Sequence, residues 1–193
     1  MSDQEIIDGC LSGHKKAQDA LYRIYSGRLF VICLRYTGNR SDAEDVLQEG
    51  FIRIFKKFGT FRNEGNSVLY PWIRRIMVNT ILNYLRDNKK FRFSGEQNDK
   101  IEILTERTDE GSLEDLLEEI GPEEILKFIS ELPEGYRTVF NLYAFEEYTH
   151  NDIARTLDIS VSTSKTQLMK ARKAIISKIK ILISSEYETK FVT

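Results

Sequence analysis

The stretch Thr149–Ile175, THNDIARTLDISVSTSKTQLMKARKAI, has the residue spacing of two helices joined by a short turn. The first helix has an apolar face, on which Ala154 is small enough to let a second helix approach. Asp158 occupies the turn, where its side chain tolerates a left-handed backbone. Ser160 is well placed to cap the second helix. The pattern predicts a helix-turn-helix.

The second helix of this stretch has two distinct faces. A buried stripe is predicted for residues at spacings of four, three and four, namely Ser164, Leu168, Ala171 and Ile175. The other side carries polar, basic and sulfur-containing side chains, namely Ser162, Lys165, Thr166, Met169, Lys170 and Lys173. Six basic residues and no acidic one lie between positions 161 and 185. Such a face suits the DNA major groove with phosphate anchoring, although a solvated basic helix packed on a bundle has the same composition.

Charge is unevenly distributed along the rest of the chain. The 193 residues have a net charge of −2, but residues 1–90 carry 15 Lys and Arg against 10 Asp and Glu. Residues 91–122 carry 3 against 10, and residues 123–193 carry 10 against 10. A basic N-terminal part, an acidic middle and a balanced C-terminal part therefore lie behind the near-neutral sum. The hydrophobic share of 41% is enough for a packed core.

Apolar spacings of three and four recur throughout the chain, and alternating strand-like patterns are scarce. We therefore expect an all-α protein with two small helical domains joined by an acidic flexible linker. Two helices are predicted within residues 3–35, one from a capping box at Ser41–Glu44 to about Phe58, and one from Pro71 to about Asn88. Helices resume at 123–130, 133–145, 149–157 and 161–184, and only positions 113–120 of the linker favour a short helix.

The predicted helix at 42–58 has two contrasting faces. Its core stripe contains Leu47, Phe51, Ile54, Phe55 and Phe58. The opposite face contains Asp45, Gln48, Glu49, Ile52 and Lys56. An apolar centre among polar groups is typical of a protein-contact surface, although one exposed Ile is also ordinary on a solvated helix.

The segment 61–90 contains a Gly/Asn/Ser loop, the sequence Tyr70-Pro71-Trp72 and a helix. The side of this helix opposite its core carries Trp72, Arg75, Asn79, Asn83 and Arg86. Aromatic rings beside a loop, next to an Arg/Asn stripe, can hold an unstacked base and follow a single strand. The alternative is that Tyr70 and Trp72 are core residues and the stripe is a wet surface.

These three segments, in this order, resemble the extracytoplasmic-function (ECF) branch of the sigma-70 family. DAEDVLQEGFIRIFKKF (42–58) resembles its helix for docking on the polymerase clamp, and FRNEGNSVLYPWIRRIMVNTILNYLRD (61–87) resembles its −10-element helix. ELPEGYRTVFNLYAFEEYTHNDIARTLDISVSTSKTQLMKARKAI (131–175) resembles its −35-reading domain. The resemblance implies a sigma factor that directs RNA polymerase core to promoters. The alternative is a helix-turn-helix regulator that never docks on polymerase.

The resemblance implies a site for each segment. The clamp of the polymerase β′ subunit is expected to contact Asp45, Gln48, Glu49 and Ile52. The melted −10 strand is expected to contact Phe61, Arg62, Tyr70, Trp72, Arg75, Asn79 and Asn83. The −35 duplex is expected to contact Ser160, Ser162, Thr163, Lys165, Thr166, Met169, Lys170 and Arg172. Two departures from the family pattern weaken the last set: Ser164 replaces a Val that would pack, and Gln167 replaces an Arg.

Residues 1–92 are predicted to form the clamp and −10 domain, 93–121 the linker, 122–185 the −35 domain and 186–193 a tail. We expect no enzymatic activity, since His14 and His150 lack metal-type spacing and look like surface residues, and neither a Walker loop nor a nucleophile elbow is present. Cys10 and Cys33 are expected in the core of a cytosolic protein. Neither a cofactor nor a membrane span is expected, and the resemblance implies an anti-sigma partner.

Overall fold

The computed structural model describes residues 1–61, 69–87 and 120–191, with side chains through Ser184 in the last helix. Every regular element in these residues is helical, which confirms the all-α prediction. The helices are α1 (Asp3–Leu11), α2 (Lys15–Thr37), α3 (Arg40–Lys57), α4 (Leu69–Asp87), α5 (Pro122–Ser130), α6 (Glu134–Ala144), α7 (His150–Leu157) and α8 (Val161–Phe191). A 3₁₀ turn, Phe58–Thr60, follows α3.

The chain divides into two compact units, Met1–Phe91 and Arg92–Thr193. The predicted linker at 93–121, with its short helix near 113–120, lies almost wholly outside the described residues. The exact domain bounds therefore stay a prediction.

In the N-terminal unit, α2, α3 and α4 pack against one another and α1 packs on α2. Leu21, Ile54 and Ile73 are fully buried between these helices. Helices α3 and α4 pack closely at Gly50, where a Cβ atom would lie 2.4 Å from the Met77 sulfur. These two helices carry the two predicted N-terminal surfaces.

The start of α3 differs from the prediction. Its N-cap is Asn39, whose Oδ1 accepts a hydrogen bond from the Asp42 backbone N–H at 2.9 Å. Ser41 lies inside the first turn and Glu44 pairs with Arg40, so the predicted Ser41–Glu44 capping box is wrong. Asn and Ser are both good caps, and Asn takes the position here because Gly38, in a left-handed conformation, ends α2 directly before it.

Two other helix ends differ from the prediction. Helix α4 begins at Leu69 instead of Pro71, which places the proline at its third residue, where its missing N–H is still outside the helical ladder. Helix α8 continues to Phe191, past the predicted end at 184.

The C-terminal unit is built on α8, which packs against α6, α7 and α5. Its core includes Val139, Leu142 and Ile153. The turn between α5 and α6 is held by Arg137, whose guanidinium donates to the carbonyls of Ser130 at 2.7 Å and Leu132 at 3.1 Å. These bonds satisfy carbonyls that the end of α5 leaves open.

Both cysteines are buried and free, as predicted. Burial raises the pKa of the Cys10 thiol to about 11 and that of Cys33 to about 12, so both are protonated and unreactive at neutral pH. Within the described residues, no helix is both long and apolar enough to cross a bilayer.

Candidate polymerase and nucleic-acid interfaces

The outward face of α3 has the composition predicted for it. Asp45 and Gln48 are exposed and Glu49 is half-buried. Ile52 lies among them with 53% of its surface accessible. The Glu49 carboxylate accepts from the Arg53 guanidinium one turn on. We call these four residues, Asp45, Gln48, Glu49 and Ile52, the α3 face.

A groove of about 380 Å³ adjoins the α3 face on the side of α2. Gln48 lines both the face and the groove, and Tyr22 on α2 is 45% exposed beside it. The Tyr22 ring packs on Phe51 with 4.6 Å between centroids. The face and the groove thus form one continuous surface with apolar, carboxylate and amide groups.

The aromatic residues at the start of the −10 segment form a cluster. Trp72 packs edge-on against Phe58 and Phe61, with ring centroids 5.4 and 5.1 Å apart. Phe61 is only 4% exposed and Trp72 is half-buried. The cluster joins Trp72 of α4 to rings at the end of α3 and directly after it. The Phe61 ring is enclosed in this arrangement, its contact with DNA stays a prediction, and Arg62 lies outside the described residues.

The Arg/Asn stripe of α4 faces solvent. Arg75 and Asn79, one turn apart, are both exposed. Asn83 continues the stripe, and its side-chain oxygen accepts from the Arg86 guanidinium. Amide groups and a guanidinium on one exposed ridge can donate to bases and phosphates alike.

Tyr70 lies on a different side of α4 from this stripe. Its ring stacks on Tyr25 of α2 at 5.8 Å, and the Arg28 guanidinium lies 5.7 Å from its centroid. Tyr70 also lines a groove of about 400 Å³ together with Arg28, Arg35 and Arg74. Tyr70 thus belongs to a basic groove between α2 and α4, and its contact with the −10 strand stays a prediction.

The helix-turn-helix has the turn chemistry predicted from the sequence. Thr149 and Asp152 form a capping box at the start of α7, and these hydrogen bonds lower the pKa of the Asp152 carboxyl. Asp158 ends α7 in the left-handed region with φ 54°. The Ser160 hydroxyl accepts from the Thr163 N–H at 2.9 Å, which caps the start of α8.

The two faces of α8 are separated as predicted. The apolar stripe and Ser164 are buried, with Ser164 at 0% exposure. Met169 is 49% exposed at the centre of the outward face. Its exposed neighbours on that face are Ser162, Lys165, Thr166 and Lys173. Thr163 is half-buried beside the cap.

Two basic residues on the flanks of α8 lie over tyrosine rings of α6. The Lys170 ammonium is 5.5 Å from the centroid of the Tyr136 ring, and the Arg172 guanidinium is 6.0 Å from that of Tyr143. Cation–π contacts of this kind hold a long side chain on one side of its helix. Lys170 is half-buried and Arg172 exposed, so Lys165 is the less restrained cation of the three.

Each of the two units matches a known protein family. Sigma-70 region 2 matches residues 21–91, and Sigma-70 region 4 matches residues 122–175. The ECF RNA polymerase sigma-E factor of Escherichia coli strain K12 is 30% identical over 190 residues, which are 95% of this chain and 97% of the relative. The chain belongs to the ECF RNA polymerase sigma factors. It is therefore a polymerase-directing initiation factor, and the alternative of a regulator that never docks on polymerase is not favoured.

Two further relatives match almost as closely. The ECF RNA polymerase sigma-E factor of Haemophilus influenzae is 29% identical over 95% of this chain and 98% of its own length. The RNA polymerase sigma-H factor of Pseudomonas aeruginosa is 29% identical over 90% of this chain and 91% of its own. The chain thus matches these sigma factors across both units.

Two solved structures resemble this chain only weakly as whole molecules. The structure of CnrH in complex with the cytosolic domain of CnrY gives a TM-score of 0.46 at 19% identity, covering 93% of this chain and 97% of that one. The sigma factor RpoE of Bartonella quintana, solved in complex with the anti-sigma factor NepR, gives 0.47 at 16% identity, covering 84% and 96%. The family assignment rests on the sequence matches.

Sequence reasoning missed three features of this sigma factor. Tyr22 beside the α3 face and Arg28 in the basic groove lie on α2, whose residues gave no motif. His150, predicted as a surface residue, is half-buried and hydrogen-bonded; His14 is exposed as predicted. The four-residue spacing of Tyr22, Ser26 and Phe30 was a usable signal for the first groove. No group of three His, Cys, Asp or Glu in the described part of the chain could hold a metal ion.

Proposed function

We propose that this sigma factor docks on the clamp of the RNA polymerase β′ subunit through the α3 face and reads promoter DNA at two places. Helix α8 reads the −35 duplex, while α4 and the loop before it hold the melted −10 strand. The observation that carries the proposal is that the N-terminal unit presents two solvent-facing helix surfaces, the α3 face and the α4 stripe, and buries neither in its own core.

The α3 face is suited to a protein partner because of its centre. Ile52 exposes apolar surface beside the polar side chains of Asp45, Gln48 and Glu49. An apolar anchor surrounded by polar groups is the usual arrangement at the energetic centre of an interface. The neighbouring groove with Tyr22 extends the same surface and offers a pocket for a side chain of the polymerase.

The α4 stripe is suited to a separated strand. Exposed Arg75 supplies a charge for the backbone and Asn79 supplies both a donor and an acceptor for a base edge. The Phe58–Phe61–Trp72 cluster lies beside this stripe at the start of α4, and Arg62 stays a predicted contact. The basic groove at Tyr70 offers a second, positively charged path for the phosphates of the strand.

The outward face of α8 is suited to a major groove. Lys165, Thr166 and Met169 form a short exposed patch near its N-terminus, where hydroxyl, cation and apolar groups can read base edges and a thymine methyl. The Ser160 hydroxyl accepts from the Thr163 N–H and caps the start of α8, and the positive end of the helix dipole at this position favours a nearby phosphate. Ser162, Lys170 and Arg172 flank the patch and are expected to contact the backbone.

Partners and place in the cell follow from the same proposal. The factor works with core polymerase in the cytoplasm and has no catalytic activity of its own. It is held inactive by an anti-sigma protein, a partner that the family resemblance implies.

Run-off transcription tests the proposal directly. Purified core polymerase is supplied with a random-sequence promoter library, with and without this protein, and transcripts are sequenced. We expect transcripts that depend on the protein and share two short upstream motifs. Stimulation of transcription without any shared motif, or no stimulation at all, would refute the proposal.

A further inference from the structure

A polar contact joins the two helices of the helix-turn-helix. The His150 Nδ1 atom, in the first turn of α7, lies 2.9 Å from the Ser164 hydroxyl oxygen of α8. Ser164 has no exposed surface, and it is the one buried polar side chain in the described part of α8. This contact therefore lies where a helix-turn-helix otherwise relies on apolar packing.

The histidine ring is held on a second side. The Tyr143 ring of α6 stacks on it, with centroids 4.9 Å apart and an interplanar angle of 27°. The Arg172 guanidinium of α8 lies over the same tyrosine. Stacking resists rotation of the imidazole about its own bonds, so the ring offers Nδ1 to Ser164 in one orientation.

Burial and nearby positive charges both favour the neutral form of His150. Burial lowers the pKa of His150, and the positive charges of Lys165 and Arg172 lower it further. Tyr143 is the titratable group packed against it from α6. A neutral imidazole can either accept from or donate to a hydroxyl, so the bond to Ser164 is available at neutral pH.

We propose that His150 is a positioning residue for −35 readout: through Ser164 it fixes the rotation of α8 about its own axis. This inference rests on the proposed function of α8. The apolar stripe of α8 holds the helix against the unit, but apolar contacts are non-directional. A hydrogen bond has a narrow range of distance and angle. Ser164 is followed at once by Lys165, so the bond determines where Lys165 and the exposed patch point.

The proposal predicts different effects on sequence-specific and on nonspecific DNA binding. Nonspecific affinity depends on the number of cations near the phosphates, which a small rotation of α8 leaves unchanged. Base readout needs donors and acceptors placed to within hydrogen-bond geometry. Losing the bond is therefore expected to lower specific binding and to spare nonspecific binding.

The test uses four variants of the full chain assembled with core polymerase. His150→Phe keeps a ring on Tyr143 but removes the bond, and Ser164→Ala removes the hydroxyl. The double variant removes both partners. His150→Asn places an amide atom near the position of Nδ1 and is the conservative variant. The probes are a promoter duplex selected by the wild-type holoenzyme from a random library and a scrambled duplex of equal length.

We expect each single removal to lower the ratio of specific to nonspecific affinity by about tenfold, which is a typical cost of one lost readout contact. The double variant should lose no more than a single one, since the two changes remove the same bond. His150→Asn should stay within about threefold of wild type. Circular dichroism confirms that each variant is folded.

Three results would overturn the inference: an unchanged ratio in a folded His150→Phe or Ser164→Ala variant, losses that add in the double variant, or a His150→Asn loss as large as that of His150→Phe. If His150→Phe fails to fold, Ser164→Ala together with His150→Asn carries the test. Failure of wild-type holoenzyme to select any duplex would instead refute the proposed function, so the two failures are distinguishable.

Discussion

In the C-terminal unit the predicted duplex-reading residues lie on one helix and its cap, whereas in the N-terminal unit the described strand-binding candidates are Phe61, which follows a 3₁₀ turn, and residues on two sides of α4. Helical periodicity alone placed Lys165, Thr166 and Met169 on the outward face of α8. It could not place Phe61 and Tyr70, which pack into an aromatic cluster and against α2. A surface within one helix can be predicted from spacing, but a surface assembled from several elements cannot.

The same contrast appears in how the side chains are restrained. On α3 and α4, Ile52, Arg75 and Asn79 project from helices that the Gly50–Met77 contact brings together. On α8, the outward residues depend on how one helix is seated, and its flanking cations are held over tyrosines of α6. This difference can be tested with substitutions whose effects on folding and on binding are measured separately.

The largest expected effect is at Ile52. Ile52→Asp should weaken binding to core polymerase by more than about 30-fold, the loss expected at the centre of an interface. Because the side chain is 53% exposed, the helical circular-dichroism signal should not change. The matched control is Ile24→Asp on α2, which is 48% exposed and outside the α3 face. Equal losses in both variants would mean that the α3 face is not the docking surface.

Next in size is the aromatic cluster. Trp72→Ala should lower the free energy of unfolding of the N-terminal unit by about 2 kcal/mol, since it removes two ring contacts and leaves a cavity. Asn79→Ala should weaken binding of a melted −10 strand with unchanged thermal unfolding. If Trp72→Ala leaves stability intact and impairs only strand binding, the ring is a base contact and the cluster is not a scaffold.

The flanking and outward cations of α8 should differ. Lys165→Ala is expected to lower specific −35 binding by about tenfold, because its ammonium lies on the outward face. Lys170→Ala should cost less and should act equally on unrelated duplexes, since its charge lies over Tyr136. Lys178→Ala, at an exposed pair with Glu131, is the control. If Lys170→Ala lowered specific −35 binding more than Lys165→Ala does, the roles assigned to the two lysines would be reversed.

A smaller effect is expected at the start of α3. Asn39→Ala should destabilise the N-terminal unit by about 1 kcal/mol through loss of the cap. Ser41→Ala should have almost no effect, because Ser41 is exposed inside the first turn. Chemical denaturation measures both, and a larger loss at Ser41 would restore the capping box predicted from the sequence.

The smallest effect concerns pH. The pKa of His150 is lowered in the folded state, so unfolding takes up a proton between that lowered pKa and the unfolded value near 6.5. The stabilising contribution is therefore complete above about pH 6.5 and is lost as pH falls below it. The comparison is thermal unfolding of wild type and His150→Asn from pH 7.5 to 5.5. A parallel decline in both proteins would assign the pH dependence to other groups.

The sequence by itself determined the fold class, the helix-turn-helix and the outward faces of α3 and α8. Each depends on the 3.6-residue period and on local cap and turn residues such as Asp158 and Ser160. Only the tertiary structure decided which aromatic rings are enclosed, which grooves Tyr22 and Arg28 line, and that His150 meets Ser164. These contacts join residues far apart in the chain. Helical spacing specifies the direction in which a side chain points from its own helix axis, but it does not specify which other helix lies in that direction.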